Sequence, residues 1–114
     1  MGVVFKIMSG ADHAASGKGG FVVPAAVDRA DGFIHLSAED QVLETARLHF
    51  AGRDDLVAVG FDAAALGSLL RWEASRGGAL FPHFYGALAM TQAVSAVRLV
   101  RRADGSFAIG ETIG

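Results

Sequence analysis

The sequence predicts an α+β fold, with a mixed or mostly antiparallel β-sheet and one main helix. Roughly six to eight short runs rich in branched and aromatic residues are typical of strands, and the clearest cover residues 3–8, 56–61 and 93–101. Only the segment after residue 37 carries a long apolar stripe at helical spacing. Strands that follow one another with a single substantial helix favour the α+β class.

The main helix is predicted to begin after Ser37. This serine stands three positions before an acidic residue, a weaker relative of the capping box, and would be the N-cap. Val42, Ala46 and Phe50 then recur at every fourth position and form one apolar face. Gly52 supplies the stop.

Shorter elements fill the rest of the chain. Ser9 is predicted to cap a short helix that glycines end from residue 17 onward, and Asp62 to cap a helical turn that ends at Gly67. A glycine loop is expected at residues 76–78, and a hairpin turn at residues 103–106. Further predicted elements are a strand at 21–23, a helical turn at 25–30, a strand at 69–73, a short strand or loop at 83–85 and a strand at 107–109.

Composition limits the classes of function. A chain of 114 residues suits one domain, expected over residues 1–114. The net charge of -2, from 10 basic and 12 acidic residues, argues against a nucleic-acid surface, although a small phosphate site stays possible. There is no cysteine, which excludes disulfides and thiolate chemistry. No signal peptide and no apolar run of membrane-spanning length is expected, so we predict a soluble, cytoplasmic protein without a membrane partner.

The first candidate site lies in the run Asp-Gly-Phe-Ile-His-Leu-Ser at residues 31–37. On an extended strand Phe33, His35 and Ser37 share one face, so the imidazole and the hydroxyl point the same way. Together with the N–H groups of the following helix they suit ribose hydroxyls or a phosphate oxygen. The alternatives are a core histidine bonded to a carbonyl and a serine that only caps the helix.

The second candidate cluster follows the predicted strand at residues 69–73. Trp72 is expected to face the core and Glu73 the opposite surface, from which its carboxylate reaches a ligand or only pairs with a neighbouring arginine. Arg76 either clamps an anion or is a solvated loop charge. His83 and Tyr85, at i and i+2 in an aromatic segment, form either a wall of the same pocket or a packed corner.

Other chemistries find little support in the sequence. His35, Glu73 and His83 are metal-ligand types, but no short histidine spacing supports a metal site. Dinucleotide-binding, phosphate-loop and nucleophile-elbow motifs are absent.

The order of several motifs closely resembles the DUF952 family of uncharacterised bacterial proteins, over nearly the whole length. The motifs are Asp-Gly-Phe-Ile-His-Leu-Ser at 31–37, Gln41, Asp-Asp-Leu at 54–56, Leu-Gly at 66–67, Trp-Glu at 72–73 and Phe-Pro-His-Phe-Tyr-Gly at 81–86. The resemblance implies a fold similar to the ADP-ribosylation fold, a split β-sheet found in ADP-ribosyltransferases and the RNA 2′-phosphotransferase.

That resemblance also implies an activity. In such enzymes a strand histidine, often in His-Gly-Ser/Thr, binds a ribose of NAD, and a later glutamate orients the nicotinamide ribose. His35 and Ser37 are similar to the first element, with Leu36 in place of its glycine, and Glu73 is the nearest match to the later acid. The expected function is a transferase that uses NAD, as substrate, or another ADP-ribose-bearing nucleotide.

Each site residue then has an expected role. His35 and Ser37 hold a ribose, and Glu73 or His83 stabilises charge or moves a proton. Trp72 or Tyr85 stacks on a ring, and Arg76 meets the pyrophosphate. The alternatives are a non-catalytic module that senses a small ligand or contacts a protein on the same fold, or a dimer whose interface is the corner at residues 83–85.

Overall fold

The computed structural model describes residues 2–113, with the side chain of Arg76 outside the described part. Strands and α-helices alternate irregularly along this range. The strands are β1 Val3–Ser9, β2 Ile34–His35, β3 Ser37–Ala38, β4 Leu56–Asp62, β5 Leu70–Ala74, β6 Leu80–Phe84, β7 Ala93–Arg101 and β8 Phe107–Thr112. The α-helices are α1 Gly10–Gly19, α2 Ala26–Asp31, α3 Val42–His49 and α4 Ala63–Leu66.

The strands form two sheets. The larger has the order β3-β1-β4-β7-β8, and the smaller has the order β2-β6-β5. Every strand pair within them is antiparallel. The predicted α+β class is therefore confirmed, with antiparallel rather than mixed sheets, while the likeness to the ADP-ribosylation fold stays a prediction.

Apolar residues cover both faces of the larger sheet because successive side chains of β1 and β4 point to opposite sides. On one face Ile7, Leu56 and Ala58 pack with Val42 and Ala46 of α3. On the other face a second core extends to the smaller sheet; it contains Val4, Met8, Val57, Val59, Phe61, Ile34, Leu36 and Phe84. The smaller sheet is thus held against the larger one by burial of apolar area.

The larger sheet is open along part of one edge. Within residues 2–113, β3 pairs with β1 only at Val4 and Phe5, so no described strand lies beside the rest of that edge of β1. The chain leaves the smaller sheet at His35 and joins the larger one at Ser37. Between them the N–H of Leu36 donates to the carbonyl of Pro82 at 3.0 Å. A cleft is left where the two sheets diverge.

The helices differ from the sequence prediction. The prediction that Ser37 is an N-cap is wrong, since Ser37 lies in β3 and α3 begins at Val42 with Gln41 as its cap residue. Pairing with β1 outcompetes the local capping signal, so Ser37 does not cap α3. The described part has four short α-helices instead of one main helix, and α1, with 10 residues, is longer than α3.

Several other elements agree with the prediction. β7 has the predicted bounds, β4 extends one residue further than predicted, and Asp62 caps α4 by accepting from the N–H of Ala64 at 3.1 Å. Ser9 caps α1 and accepts from the N–H of Asp12 at 3.0 Å. The predicted strand at 21–23 is reduced to one bridge between Phe21 and Ala89.

Of the two expectations for residues 81–82, an extended segment or a turn, the structure shows the extended one, and the position of Trp72 differs from the prediction. β6 runs through Pro82, which lies opposite Trp72 of β5. Trp72 is 38% exposed rather than part of the core, because its strand is the edge of the smaller sheet. Among the described residues, no helix has the length and apolar character needed to cross a membrane.

Candidate functional site

A cleft of about 450 Å³ lies beside the open edge of β1, enclosed by α2, α3 and β6. Its walls are largely aliphatic and aromatic, with Phe5, Phe50 and Phe81 among them. The polar side chains that line it come from five different parts of the chain. They are Lys6, His35, Ser37, Thr45, His49, Ser75 and His83.

His35 and His83 form one wall as directly paired residues of β2 and β6. Paired residues of an antiparallel ladder point to the same side, and the centroids of the two rings are 5.5 Å apart. The side chain of His35 is 28% exposed and that of His83 only 7%. Two imidazoles far apart in sequence are therefore neighbours at one cleft.

Both ring nitrogens of His35 lie close to carboxylates. Nδ1 is 2.7 Å from Oδ1 of Asp28, and Nε2 is 3.0 Å from Oδ2 of Asp31. Since an ionised carboxylate only accepts hydrogen bonds, the bond to Asp28 requires a proton on Nδ1, and the contact with Asp31 is a hydrogen bond only when Nε2 carries a proton as well. Asp28 and Asp31 both come from α2, so this short helix fixes the orientation of the ring.

Asp28 is buried and forms an ion pair with Lys6. The Lys6 ammonium donates to Oδ2 of Asp28 at 2.8 Å and to the carbonyl of His35 at 3.2 Å. The backbone N–H groups of Ala25 and His35 also donate to the Asp28 carboxylate. Burial by itself would raise the pKa of Asp28, but the Lys6 charge and these hydrogen bonds outweigh it, so the pKa lies below its ordinary value.

Glu73 joins His83 to Tyr85. Its Oε1 accepts from the Tyr85 hydroxyl at 2.7 Å and from Nδ1 of His83 at 2.8 Å. These two hydrogen bonds lower the pKa of Glu73, with the Tyr85 bond the larger cause. The same bond raises the pKa of Tyr85, because the neighbouring carboxylate favours the protonated phenol.

Phe33 contacts the rings of His35, His83 and Tyr85. Its ring stacks on His83 with centroids 4.1 Å apart, and lies 4.5 Å from His35 and 5.2 Å from Tyr85. The guanidinium of Arg71 sits 4.8 Å from the centre of the Tyr85 ring. Contacts of both kinds, between aromatic rings and between a cation and a ring, are favourable.

Ser37 is buried at the back of the cleft. Its hydroxyl donates to Oγ1 of Thr45 at 3.0 Å, which ties β3 to α3. The oxygen of Ser37 keeps acceptor capacity in this arrangement. His35 and Ser37 therefore both line the cleft, although the two residues belong to different sheets.

The predicted site residues are not all brought to the cleft. His35, Ser37 and His83 line it, while Glu73 and Tyr85 lie behind His83 and are not among its described lining residues. Trp72 alternates with Glu73 along β5 and so faces the other side of the smaller sheet. The side chain of Arg76 is outside the described part, so its predicted anion contact stays a prediction.

Sequence reasoning missed Lys6, Asp28 and His49. Lys6 interrupts an otherwise apolar strand, and a charge at such a position signals a buried partner. Asp28 carried no comparable signal because its partners lie 22 and 7 residues away. His49 lines the cleft from the last position of α3, where no pattern in the sequence marks it as a site residue. Within the described range, no cluster of three acidic or histidine side chains has the geometry to hold a metal ion.

Comparison with known proteins adds the following. A family model described as "Protein of unknown function (DUF952)" matches residues 7–97. Among solved structures, the crystal structure of protein CC0527 from Caulobacter crescentus is similar to this chain, with 44% sequence identity, 93% of each chain covered and a TM-score of 0.88. Its solution NMR structure is 45% identical, with 93% of this chain and 91% of that chain covered and a TM-score of 0.83. A crystal structure of a double mutant of CC0527 is 42% identical, with 93% of each chain covered and a TM-score of 0.87. No curated protein is significantly similar.

Proposed function

The chain belongs to the DUF952 family, and from its cleft we propose that the protein is a transferase that acts on NAD or another ADP-ribose-bearing nucleotide, in the manner of ADP-ribosyltransferases. The observation that carries this proposal is the convergence of His35, Ser37 and His83 at one cleft, with Glu73 bonded behind His83. These are the residue types that such a reaction uses to hold ribose and to move charge.

The size and lining of the cleft support a nucleotide fragment as ligand. A volume of about 450 Å³ falls within the range of about 300–1,000 Å³ typical of small-molecule pockets. Phe5, Phe50 and Phe81 provide apolar area for a flat ring. Imidazole and hydroxyl groups at the wall suit the hydroxyls of a ribose. In this proposal the cleft takes one ring with its ribose.

The proposed reaction breaks the bond between the ribose C1′ carbon and the leaving ring nitrogen. The bonding electron pair leaves with the ring, and the positive charge on the ribose is quenched when an acceptor hydroxyl forms a new bond to C1′. His83 takes the proton that the acceptor loses, and the Glu73 carboxylate stabilises the imidazolium that results. The lowered pKa of Glu73 supports this role, because the group stays charged in the working pH range.

The remaining expected roles change in part. His35 and Ser37 stay the proposed contacts to ribose hydroxyls. Tyr85 acts on Glu73 rather than on a ligand ring, since its hydroxyl is bonded to that carboxylate. Trp72 has no proposed ligand role, because it faces the other side of the sheet. Contact of Arg76 with the pyrophosphate remains proposed from the sequence alone.

Isothermal titration with NAD and with ADP-ribose tests the proposal. Wild type should bind at least one of them, and His35→Ala should bind it about tenfold more weakly through loss of the hydrogen bond between His35 and the ligand. His13→Ala is the matched control, since His13 lies in α1 away from the cleft lining. Equal heats from wild type and His35→Ala, or no heat from either, would count against the proposal.

A second candidate function is a non-catalytic module that senses a nucleotide or another small ligand. The observation in its favour is that Glu73 lies behind His83 and bonds Tyr85, which is also what a purely structural corner requires. Release of nicotinamide from NAD separates the two candidates. If ligand binds but release stays at background, and Glu73→Gln changes neither quantity, the sensing function is favoured.

A further inference from the structure

His35 has two carboxylate partners that differ in how firmly they are held. Asp28 is 3% exposed, and its two oxygens accept from Lys6 Nζ, from Nδ1 of His35 and from two backbone N–H groups. Asp31 has a side chain that is 48% exposed, at the last position of α2. One partner is built into the interior, and the other stands at the surface.

We propose that Asp28, held by Lys6, is a positioning residue that keeps the proton of His35 on Nδ1, and that Asp31 is a replaceable partner of Nε2 that gives way to a hydroxyl of the ligand. The ligand contacts the ring of His35, and the proton position and partners of this ring are set by Asp28, Asp31 and Lys6. None of these three residues catalyses a step itself. The identity of that hydroxyl, a ribose hydroxyl, rests on the proposed function; the assignment of the two carboxylates does not.

The hydrogen-bond inventory supports a fixed Nδ1 proton. In a neutral imidazole one nitrogen donates and the other accepts, and the partner of one nitrogen decides the state of the other. Asp28 cannot turn away from Nδ1 without also losing its bonds to Lys6 and to the His35 N–H. The carboxylate is therefore a permanent acceptor at this atom.

The surface position of Asp31 supports its replacement. A side-chain bond at 3.0 Å between partners 28% and 48% exposed competes with water on both sides and contributes little to stability. Movement of the Asp31 side chain into solvent breaks this one contact to His35. An incoming hydroxyl can then donate to Nε2 or accept from it, so the exchange suits either charge state of the ring.

Nitrogen-15 spectra of wild type test the fixed proton before any ligand is added. Histidine labelled in the ring shows which nitrogen of His35 carries hydrogen. The expected result is hydrogen on Nδ1 throughout the neutral range, and hydrogen on Nε2 alone would overturn the proposal.

The variants compare the two carboxylates. The double variant Lys6→Met/Asp28→Asn leaves no unpaired charge in the interior. The amide introduced by Asp28→Asn has one acceptor atom, whereas the carboxylate has two. His35 should therefore become a mixture of tautomers. In this double variant ADP-ribose should bind about ten- to hundredfold more weakly, because the ring of His35 has lost its charge-assisted contact with Asp28 and because Lys6 no longer lines the cleft. The tautomer of His35, rather than the affinity, therefore reports on Asp28 alone. Asp31→Ala should keep the proton on Nδ1 of His35 and bind ADP-ribose within about threefold of wild type, since only a surface contact is lost.

The outcomes separate this inference from the proposed function. If ADP-ribose does not bind wild type, the proposed function fails, and the tautomers of wild type and the double variant still decide the role of Asp28. An unchanged tautomer and affinity in the double variant would overturn that role. A loss of affinity in Asp31→Ala as large as that in the double variant would overturn the distinction between the two carboxylates.

Discussion

Asp28→Asn is expected to destabilise the protein strongly, because it leaves the ammonium of Lys6 in the interior without its counter-charge. The side chains of Lys6 and Asp28 are 7% and 1% exposed and meet at 2.8 Å. After the substitution the carbonyl of His35, at 3.2 Å, remains as an acceptor for the ammonium. A neutral carbonyl does not offset the free-energy cost of burying a charged ammonium, as the carboxylate does.

The magnitude follows from this burial. Removing one partner of a buried ion pair costs about 3–5 kcal/mol. A chain of 114 residues has a total stability of roughly 6–17 kcal/mol, so the loss is a large part of the total. The melting temperature should fall on the order of 10–20 °C. The double variant Lys6→Met/Asp28→Asn should regain most of the lost free energy, because no charge is then left unpaired.

Urea unfolding followed by circular dichroism measures these differences. The folded-state pKa of Asp28 is lowered, so the pair stabilises the fold above pH about 4 and this stabilisation is lost as pH falls through the folded pKa. Wild type should therefore lose stability in acid more steeply than the double variant. The reasoning is refuted if Asp28→Asn lies within about 1 kcal/mol of wild type, well below the cost of an unpaired buried charge, or if the double variant is less stable than Asp28→Asn.

Three further predictions concern other parts of the structure. Tyr85 is the only tyrosine, so titration of the tyrosine absorbance should show its pKa above the ordinary value. Glu73→Gln should shift this titration to lower pH, and identical curves for the two proteins would contradict the hydrogen bond between Tyr85 and Glu73. Trp72→Ala should leave nucleotide binding within about threefold of wild type, as titration calorimetry can show, because Trp72 is on the far face of its strand. Gly60→Ala should destabilise the fold by about 1–3 kcal/mol in urea, since a Cβ there would lie 2.8 Å from Cγ1 of Val3.

Much of the fold could be predicted because its signals are local. β7 and β4 carry runs of branched residues bounded by polar turns, and Val42 and Ala46 mark the buried face of α3 by their spacing alone. Ser37 shows the limit of such signals. Its capping pattern is as good locally as that of Asp62, but pairing with β1 is decided by residues more than thirty positions away.

The site was predictable in composition and less so in arrangement. Alternation along a strand predicted that Glu73 and Trp72 separate, and the strand patterns made His35 and His83 candidates. That the last two would become paired residues of one ladder depends on the topology of the smaller sheet, which no single segment encodes. The same holds for Asp28, whose importance appears only when α2 is placed against β1.

The passage of the chain from one sheet to the other at Leu36 has a mechanical consequence. The Cα atoms of His35 and Ser37 can be no more than about 7 Å apart, yet they are fastened to different sheets. Separation of the two sheets is therefore limited by this short connection. A ligand bound by both side chains would further restrict that separation. When such a ligand is bound, the backbone amide protons of both sheets should exchange with solvent more slowly than in the free protein.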